Sequence, residues 1–206
     1  MAAKGNFIVF EGIDGSGTTT QAALLHKAFV ERERGALLTC EPTDGAIGKL
    51  IRDVLKKGSH NKLEPDSLAL LFAADRIEHY RKTIRPALEK GNYVISDRYV
   101  YSSLSYQPIF SELGFIEQMN SEVPFADVCF ILRISVDEAI KRISAASRGG
   151  ELFEKKEILT KVSENYDKLA ERYPGGGLVY LDGELSVEEV HKAVLSEIST
   201  RFGLTF

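Results

Sequence analysis

The sequence predicts an α/β protein: a doubly wound, five-stranded parallel sheet flanked by helices, in one domain over residues 1–206. Three observations carry this. Short apolar runs alternate with longer amphipathic segments, the order that βαβ crossovers produce. The short runs are continuous in Val, Ile, Leu and Phe, which suggests strands buried on both faces, as in a parallel sheet. A glycine-rich loop joins the first run to the first amphipathic segment.

The first strand is read at "NFIVFEG" (6–12). The segment after the loop places Ala22, Leu25 and Phe29 on one helical face. "ALLTC" (36–40) is the second strand. Pro65 and Asp66 suit the first turn of a long helix, which runs to about residue 90 and stops at Gly91. "NYVISD" (92–97), "ADVCFILRI" (126–134) and "GLVYLDG" (177–183) complete the strands. Ser186 and Glu189 form a capping box for a last helix whose inner face is Val187, Val190, Val194 and Ile198. No internal repeat or low-complexity linker interrupts the order. On such a sheet, ligands sit at the C-terminal ends of the strands.

Composition excludes several functions. Of the 206 residues, 44% are hydrophobic and 27% charged, ordinary for a soluble globular chain. The formal net charge is -4, a poor footprint for a nucleic-acid binder. No stretch reaches the roughly 18 apolar residues of a membrane span, and "MAAKGNFIVF" does not resemble a secretory leader. Cys40 and Cys129 both lie in apolar runs and are expected to be small core residues, without zinc spacing or a disulfide framework. A reducing cytoplasm fits these features.

The loop "EGIDGSGTTTQ" (11–21) nearly completes the phosphate-binding pattern G-x-x-x-x-G-K-[ST]. Gly12, Gly17 and Thr19 fall on it; Thr18 stands where the lysine belongs. Gly15 and Gly17 let backbone N–H groups turn toward phosphate oxygens, and the following helix adds its positive end. Thr19 offers a hydroxyl for Mg²⁺. A second acid, Asp97, ends the apolar strand "YVISD", where a carboxylate can hold magnesium through water; a surface ion pair with Arg98 is the simpler alternative.

Read in order, "FEGIDGSG", "EPTDGAIGKLIR", "LLFAADRIEHY", "PALEKGNYVISDRYVYSSLSYQ" and "RGGELFE" resemble the thymidylate kinases. The resemblance runs from about residue 6 to about residue 182, and Leu70–Gln107 is its most specific block. It implies the five-stranded fold of the P-loop nucleoside monophosphate kinases and transfer of the ATP γ-phosphoryl group to dTMP. It also implies Mg²⁺ as cofactor and a homodimer, with neither nucleic acid nor membrane as partner. ATP would bind on Gly12, Ile13, Asp14, Gly15, Ser16, Gly17, Thr18, Thr19 and Thr20, with Thr19 and Asp97 at the metal.

The same resemblance assigns the acceptor side. Phe72 and Arg76 share one helical face at i and i+4. In the family the matching pair stacks on thymine and donates to its carbonyl edge; on spacing alone, the favoured reading is Phe72 as a core residue and Arg76 as a solvated charge. Arg98 matches the arginine on the acceptor phosphate. Glu41, Pro42 and Arg52 match the acceptor loop and the helix behind it, although Cys40 stands where the family often has arginine. Ser103, Tyr106 and Gln107 match positions lining thymine and sugar, with Tyr106 favouring deoxyribose. Asp14 matches an acid near the transferred phosphoryl; a turn Asp bonding its own backbone is the alternative.

Family members place the catalytic arginine either in the glycine loop, which here has Gly15, or in a lid. "KRISAASRGGELFEKK" (141–156) fits a lid, with Arg148 the first choice and Arg142 the second. Arg142, Arg148, Lys155 and Lys156 are the nearest lid candidates to replace the missing lysine. Two other functions stay open: a kinase for another nucleoside monophosphate or a deoxynucleoside, and a non-catalytic nucleotide-binding module, for which Thr18 speaks.

Overall fold

The computed structural model describes residues 5–56, 62–146 and 152–206. Five strands form one wholly parallel sheet: β1 (Phe7–Gly12), β2 (Ala36–Cys40), β3 (Tyr93–Asp97), β4 (Val128–Arg133) and β5 (Leu178–Asp182). Their spatial order is β2-β3-β1-β4-β5, so the glycine loop leaves the centre of the sheet. Phe10 and Cys40 both pair with Asp97, which brings the ends of β1, β2 and β3 to one rim.

The side-chain period of two divides β1 between two cores. Ile8 and Phe10 pack with Ala22, Leu25 and Phe29 of helix α1 (Thr18–Val30) and with Val194 and Ile198 of helix α9 (Val187–Phe202). Phe7 and Val9 face the opposite layer. That layer comprises the long α3 (Pro65–His79), α5 (Val100–Tyr106), α6 (Leu113–Met119), α7 (Val136–Ala146) and α8 (Leu152–Arg172), with α4 (Arg85–Glu89) prolonging α3. Phe29 is fully buried, worth about 1.5–3 kcal/mol by burial of its ring.

Three expectations are corrected. Only β1, β3 and β4 are largely buried; β2 and β5 are edge strands, and their residues are mostly half-buried or exposed. Cys129 is buried, whereas Cys40 is exposed, because the edge position of β2 leaves its last residue at the rim. Val187 stands out in solvent at the first turn of α9, one turn ahead of the buried Val190. The expected long helix from Pro65 toward Gly91 forms, but Tyr80–Ile84 widens into a π-turn between α3 and α4. Gly91 then reverses the chain at φ 82°. The Ser186–Glu189 capping box is present at the start of α9.

Candidate active site

The loop between β1 and α1 has the conformation its glycines imply. Gly17 caps α1 in the left-handed region at φ 97°, where a side chain is strained. At Gly12, a Cβ would lie 2.5 Å from Ser16 Oγ and 2.7 Å from the Leu132 carbonyl. The side chains of the loop divide. Ile13 packs into the core, Ser16 and Thr18 are buried, and Asp14, Gly15, Thr19 and Thr20 face outward.

Thr19 and Asp97, 78 residues apart in sequence, meet at the rim. Thr19 Oγ1 donates to Asp97 Oδ2 at 2.5 Å, and the buried Asp97 Oδ1 has no hydrogen-bond partner. The hydroxyl proton is taken by the carboxylate, so a hydroxyl lone pair and Oδ1 are left for a cation. Two hard oxygens fit a magnesium ion that keeps several waters and takes its other ligands from phosphates. Among the described residues no cluster of three or more His, Cys, Asp or Glu offers a fuller metal cage.

Arg98 occupies the turn after β3 at φ 70°, a left-handed conformation that is costly for a residue with a Cβ. Its guanidinium lies across the loop. Nη1 donates to the Gly12 carbonyl at 3.0 Å and to Ser102 Oγ at 3.2 Å; Nη2 donates to Asp14 Oδ1 at 2.8 Å. The ring of Tyr106 stands 5.5 Å from its centre. Burial disfavours the charge, but Tyr106, Tyr166, Asp14 and Glu11 more than offset it, and the pKa is held above the ordinary arginine value. Tyr106 accepts from the Asp14 N–H at 3.2 Å, and burial pushes its own pKa up, so it stays a neutral phenol.

Beside Arg98 opens a cavity of about 450 Å³, within the usual range for small-molecule sites. Asp14, Glu41, Pro42, Phe72, Arg76, Arg98, Ser103, Tyr106 and Gln107 all line it. Tyr99 OH, Ser103 Oγ, Gln107 Oε1 and Ser111 Oγ, also in its wall, are buried polar atoms without a hydrogen-bond partner. Such groups are costly unless something polar meets them.

Arg76 is not a solvated charge. It is 1% exposed and lines the cavity. Nε donates to Glu41 Oε2 at 2.9 Å, Nη1 to Asn120 Oδ1 at 2.5 Å and Nη2 to the Tyr99 carbonyl at 3.3 Å. Three of its five N–H groups are thereby used, and two remain. The other Glu41 oxygen, Oε1, accepts from His79 Nδ1 at 2.9 Å; a carboxylate can only accept, so the proton is on Nδ1. Glu41 thus acts through Arg76, and the Glu41–Pro42 peptide bond is cis. Phe72, half-buried, leaves a ring in the cavity wall.

Arg52, on helix α2 (Ala46–Leu55), is not in that wall. It clamps the acceptor loop from outside, donating to the Pro42 carbonyl at 2.6 Å and to Asp44 Oδ1 at 2.9 Å. Cys40 lines a second hollow of about 630 Å³ on the α1 side of Asp97, with Thr19, Asp44 and His79.

The lid candidates separate. Arg148 lies outside the described residues, as does the side chain of Lys155. Lys156 is paired with Asp137 at 2.6 Å. Arg142 touches the glycine loop: Nη1 lies 3.4 Å from the Gly15 carbonyl and 3.1 Å from that of Gly183, while Nε donates to Glu138 at 2.9 Å.

Sequence reasoning missed Glu11, Ser102, Tyr166, Asn120 and His79. For Glu11 a signal existed. The period of two puts it on the same face as the buried Phe7 and Val9.

The chain matches the family model described as thymidylate kinase over residues 10–194. It is 45% identical over 197 residues to a Pyrococcus abyssi protein named "Probable thymidylate kinase", covering 94% of this chain and 95% of that one. A protein of the same name from Methanococcus aeolicus is 45% identical over 198 residues, with 93% and 95% covered. One from Methanocaldococcus jannaschii is 41% identical over 191 residues, with 92% and 93% covered.

Proposed function

The chain belongs to the thymidylate kinase family, and from that premise we propose how its residues divide the work. The enzyme is an ATP-dependent dTMP kinase: it transfers the γ-phosphoryl group of ATP to dTMP, giving dTDP and ADP. The observation that carries the division is the position of Arg98. One guanidinium reaches the glycine loop on one side and lines the acceptor cavity on the other.

ATP lies along residues 12–20, its phosphates met by backbone N–H groups and the N-terminal end of α1. Thr19 and Asp97 would hold Mg²⁺, which when bound would neutralise charge on the phosphates. The acceptor enters the 450 Å³ cavity. Phe72 stacks on thymine, the spare N–H groups of Arg76 face its carbonyl edge, and Ser103 and Gln107 meet base and sugar with their unpartnered atoms. Tyr106 crowds the ribose 2′ position. Glu41 and Pro42 shape the cavity wall, and Arg52 holds their loop.

Arg98 then meets the acceptor phosphate, with Asp14 as its counter-charge. Phosphoryl transfer needs placement and charge neutralisation more than covalent chemistry. Arg148 supplies the lid cation on closure of about residues 141–156, and Arg142 covers the loop where lysine is missing. We read residues 1–206 as one domain.

Two further features belong to the same reading. A homodimer is supported by the exposed Leu50, Leu55 and Leu70 on α2 and α3. A reading without nucleic-acid partners is supported by the net charge of -4, and a cytoplasmic location by the free Cys40 and Cys129. No helix among the described residues is long and apolar enough to cross a membrane. The test is ADP release from ATP and Mg²⁺. Release that depends on added dTMP is expected; release at the same rate without dTMP would contradict it.

A further inference from the structure

The most heavily bonded buried charge among the described residues has no part in the scheme above. Glu11 is 0% exposed at the end of β1, on the face that carries Phe7 and Val9 into the core. Its carboxylate accepts four hydrogen bonds. Oε1 takes the backbone N–H groups of Tyr99 (2.8 Å) and Ser102 (3.0 Å) at the start of α5. Oε2 takes the hydroxyls of Ser102 (2.6 Å) and Tyr166 (2.8 Å), the latter from α8. Burial raises its pKa against the pull of Arg98 and these donors, so the charge is kept here at a cost. An apolar residue would serve the core better.

We propose that Glu11 is a positioning residue for the acceptor phosphate, holding Arg98 in place and tying that setting to α8 through Tyr166. Two routes lead from Glu11 to Arg98. The first is the backbone: Arg98 sits at φ 70°, and the N–H that follows it, that of Tyr99, is pinned by Glu11 Oε1. The second is Ser102. Its proton points to Glu11 Oε2, which turns a lone pair toward Arg98 Nη1 at 3.2 Å. A glutamine at position 11 would offer Ser102 a donor instead of an acceptor and would remove the charge facing Arg98. Tyr166 adds the link to α8, and its hydroxyl shares Oε2 with Ser102. It also lies 3.3 Å from Ser102 Oγ.

This inference rests on dTMP as acceptor, and the test keeps the two apart by using ligands with and without the phosphate. Binding of dTMP and of thymidine is measured on the wild type and on Glu11→Gln. Tight dTMP binding by the wild type checks the acceptor itself. For Glu11→Gln, dTMP affinity is expected to fall about ten-fold or more, the scale of one charge-assisted hydrogen bond. Thymidine affinity, which does not involve Arg98, should stay within about two-fold on that scale. In an Arg98→Ala background the same Glu11 change should have no further effect on dTMP, as coupled residues require. Equal losses for both ligands, no loss for either, or the same loss in both backgrounds would overturn the proposal. If Glu11→Gln does not fold, Tyr166→Phe carries the test. It removes one donor without changing packing, and a selective loss of dTMP affinity of about three-fold is expected; an unchanged ratio of dTMP to thymidine affinity would overturn it.

Discussion

In the proposed reading Arg76 has two duties, one structural and one toward the base, and comparison with Phe72 tells them apart. Its side chain is fully buried against Glu41, so Arg76→Ala leaves a carboxylate without its ion pair, which costs about 3–5 kcal/mol in such sites. We expect that variant to lose thermal stability and dTMP use together. Phe72 is only half-buried and makes no ion pair, so Phe72→Ala should lower kcat/KM for dTMP while leaving the unfolding temperature nearly unchanged. Unfolding curves and dTMP kinetics on the two variants check this; a stable Arg76→Ala would contradict the buried-pair reading. The sequence placed both residues on one helical face. It could not place Arg76 in the interior, because the partners that make its burial possible are Glu41, 35 residues away, and Asn120, 44 residues away.

At the scale of elements, the proposed reading has the glycine loop and α7 together answer for the missing lysine. Arg98 donates to the Gly12 carbonyl, and Arg142, from α7, lies beside that of Gly15. Two guanidinium groups therefore already bring positive charge to the loop. Restoring the lysine by Thr18→Lys would raise kcat/KM for ATP about ten-fold if the charge were simply absent. With the arginines in place, the account predicts no gain or a loss, and steady-state kinetics with varied ATP decide it. The loop, its strand and its helix were legible in sequence because glycine spacing and apolar periodicity are local signals. Arg142 was one of four lid cations left open for this role, since contact between α7 and Gly15 is a property of the fold.

Helix α9 carries a different test. His191 Nδ1 is buried without a hydrogen-bond partner, and burial lowers the His191 pKa below its ordinary value of 6.5. The unfolded chain then binds a proton before the folded one does as pH falls. Stability from this residue is therefore complete above about pH 6.5 and is lost as pH drops from there toward the lowered pKa. His191→Gln should remove that part of the acid slope, measured as unfolding temperature against pH. A slope unchanged by the substitution would contradict the assignment.

For the whole molecule, the sheet order explains which expectations held. The five strands and their parallel sense follow from the alternation of apolar runs and helices. Their order, β2-β3-β1-β4-β5, does not, and it is this order that makes β2 and β5 edges and exposes Cys40. It also sets Glu11 beneath α5 and α8, with Tyr166 reaching it across 155 residues. The acceptor cavity collects residues from the acceptor loop, α3 and α5, so its membership was legible only through family motifs, whereas its unpartnered polar atoms are a finding of the fold.

The most direct measurement of the central claim is a ranking of acceptors at equal concentration with ATP and Mg²⁺. In the proposed reading Phe72 and Arg76 select the pyrimidine base and Tyr106 selects deoxyribose; all three line the cavity together with Arg98. The account predicts dTMP as the fastest acceptor, dUMP slower and UMP slowest. Turnover of UMP or AMP faster than dTMP would contradict it.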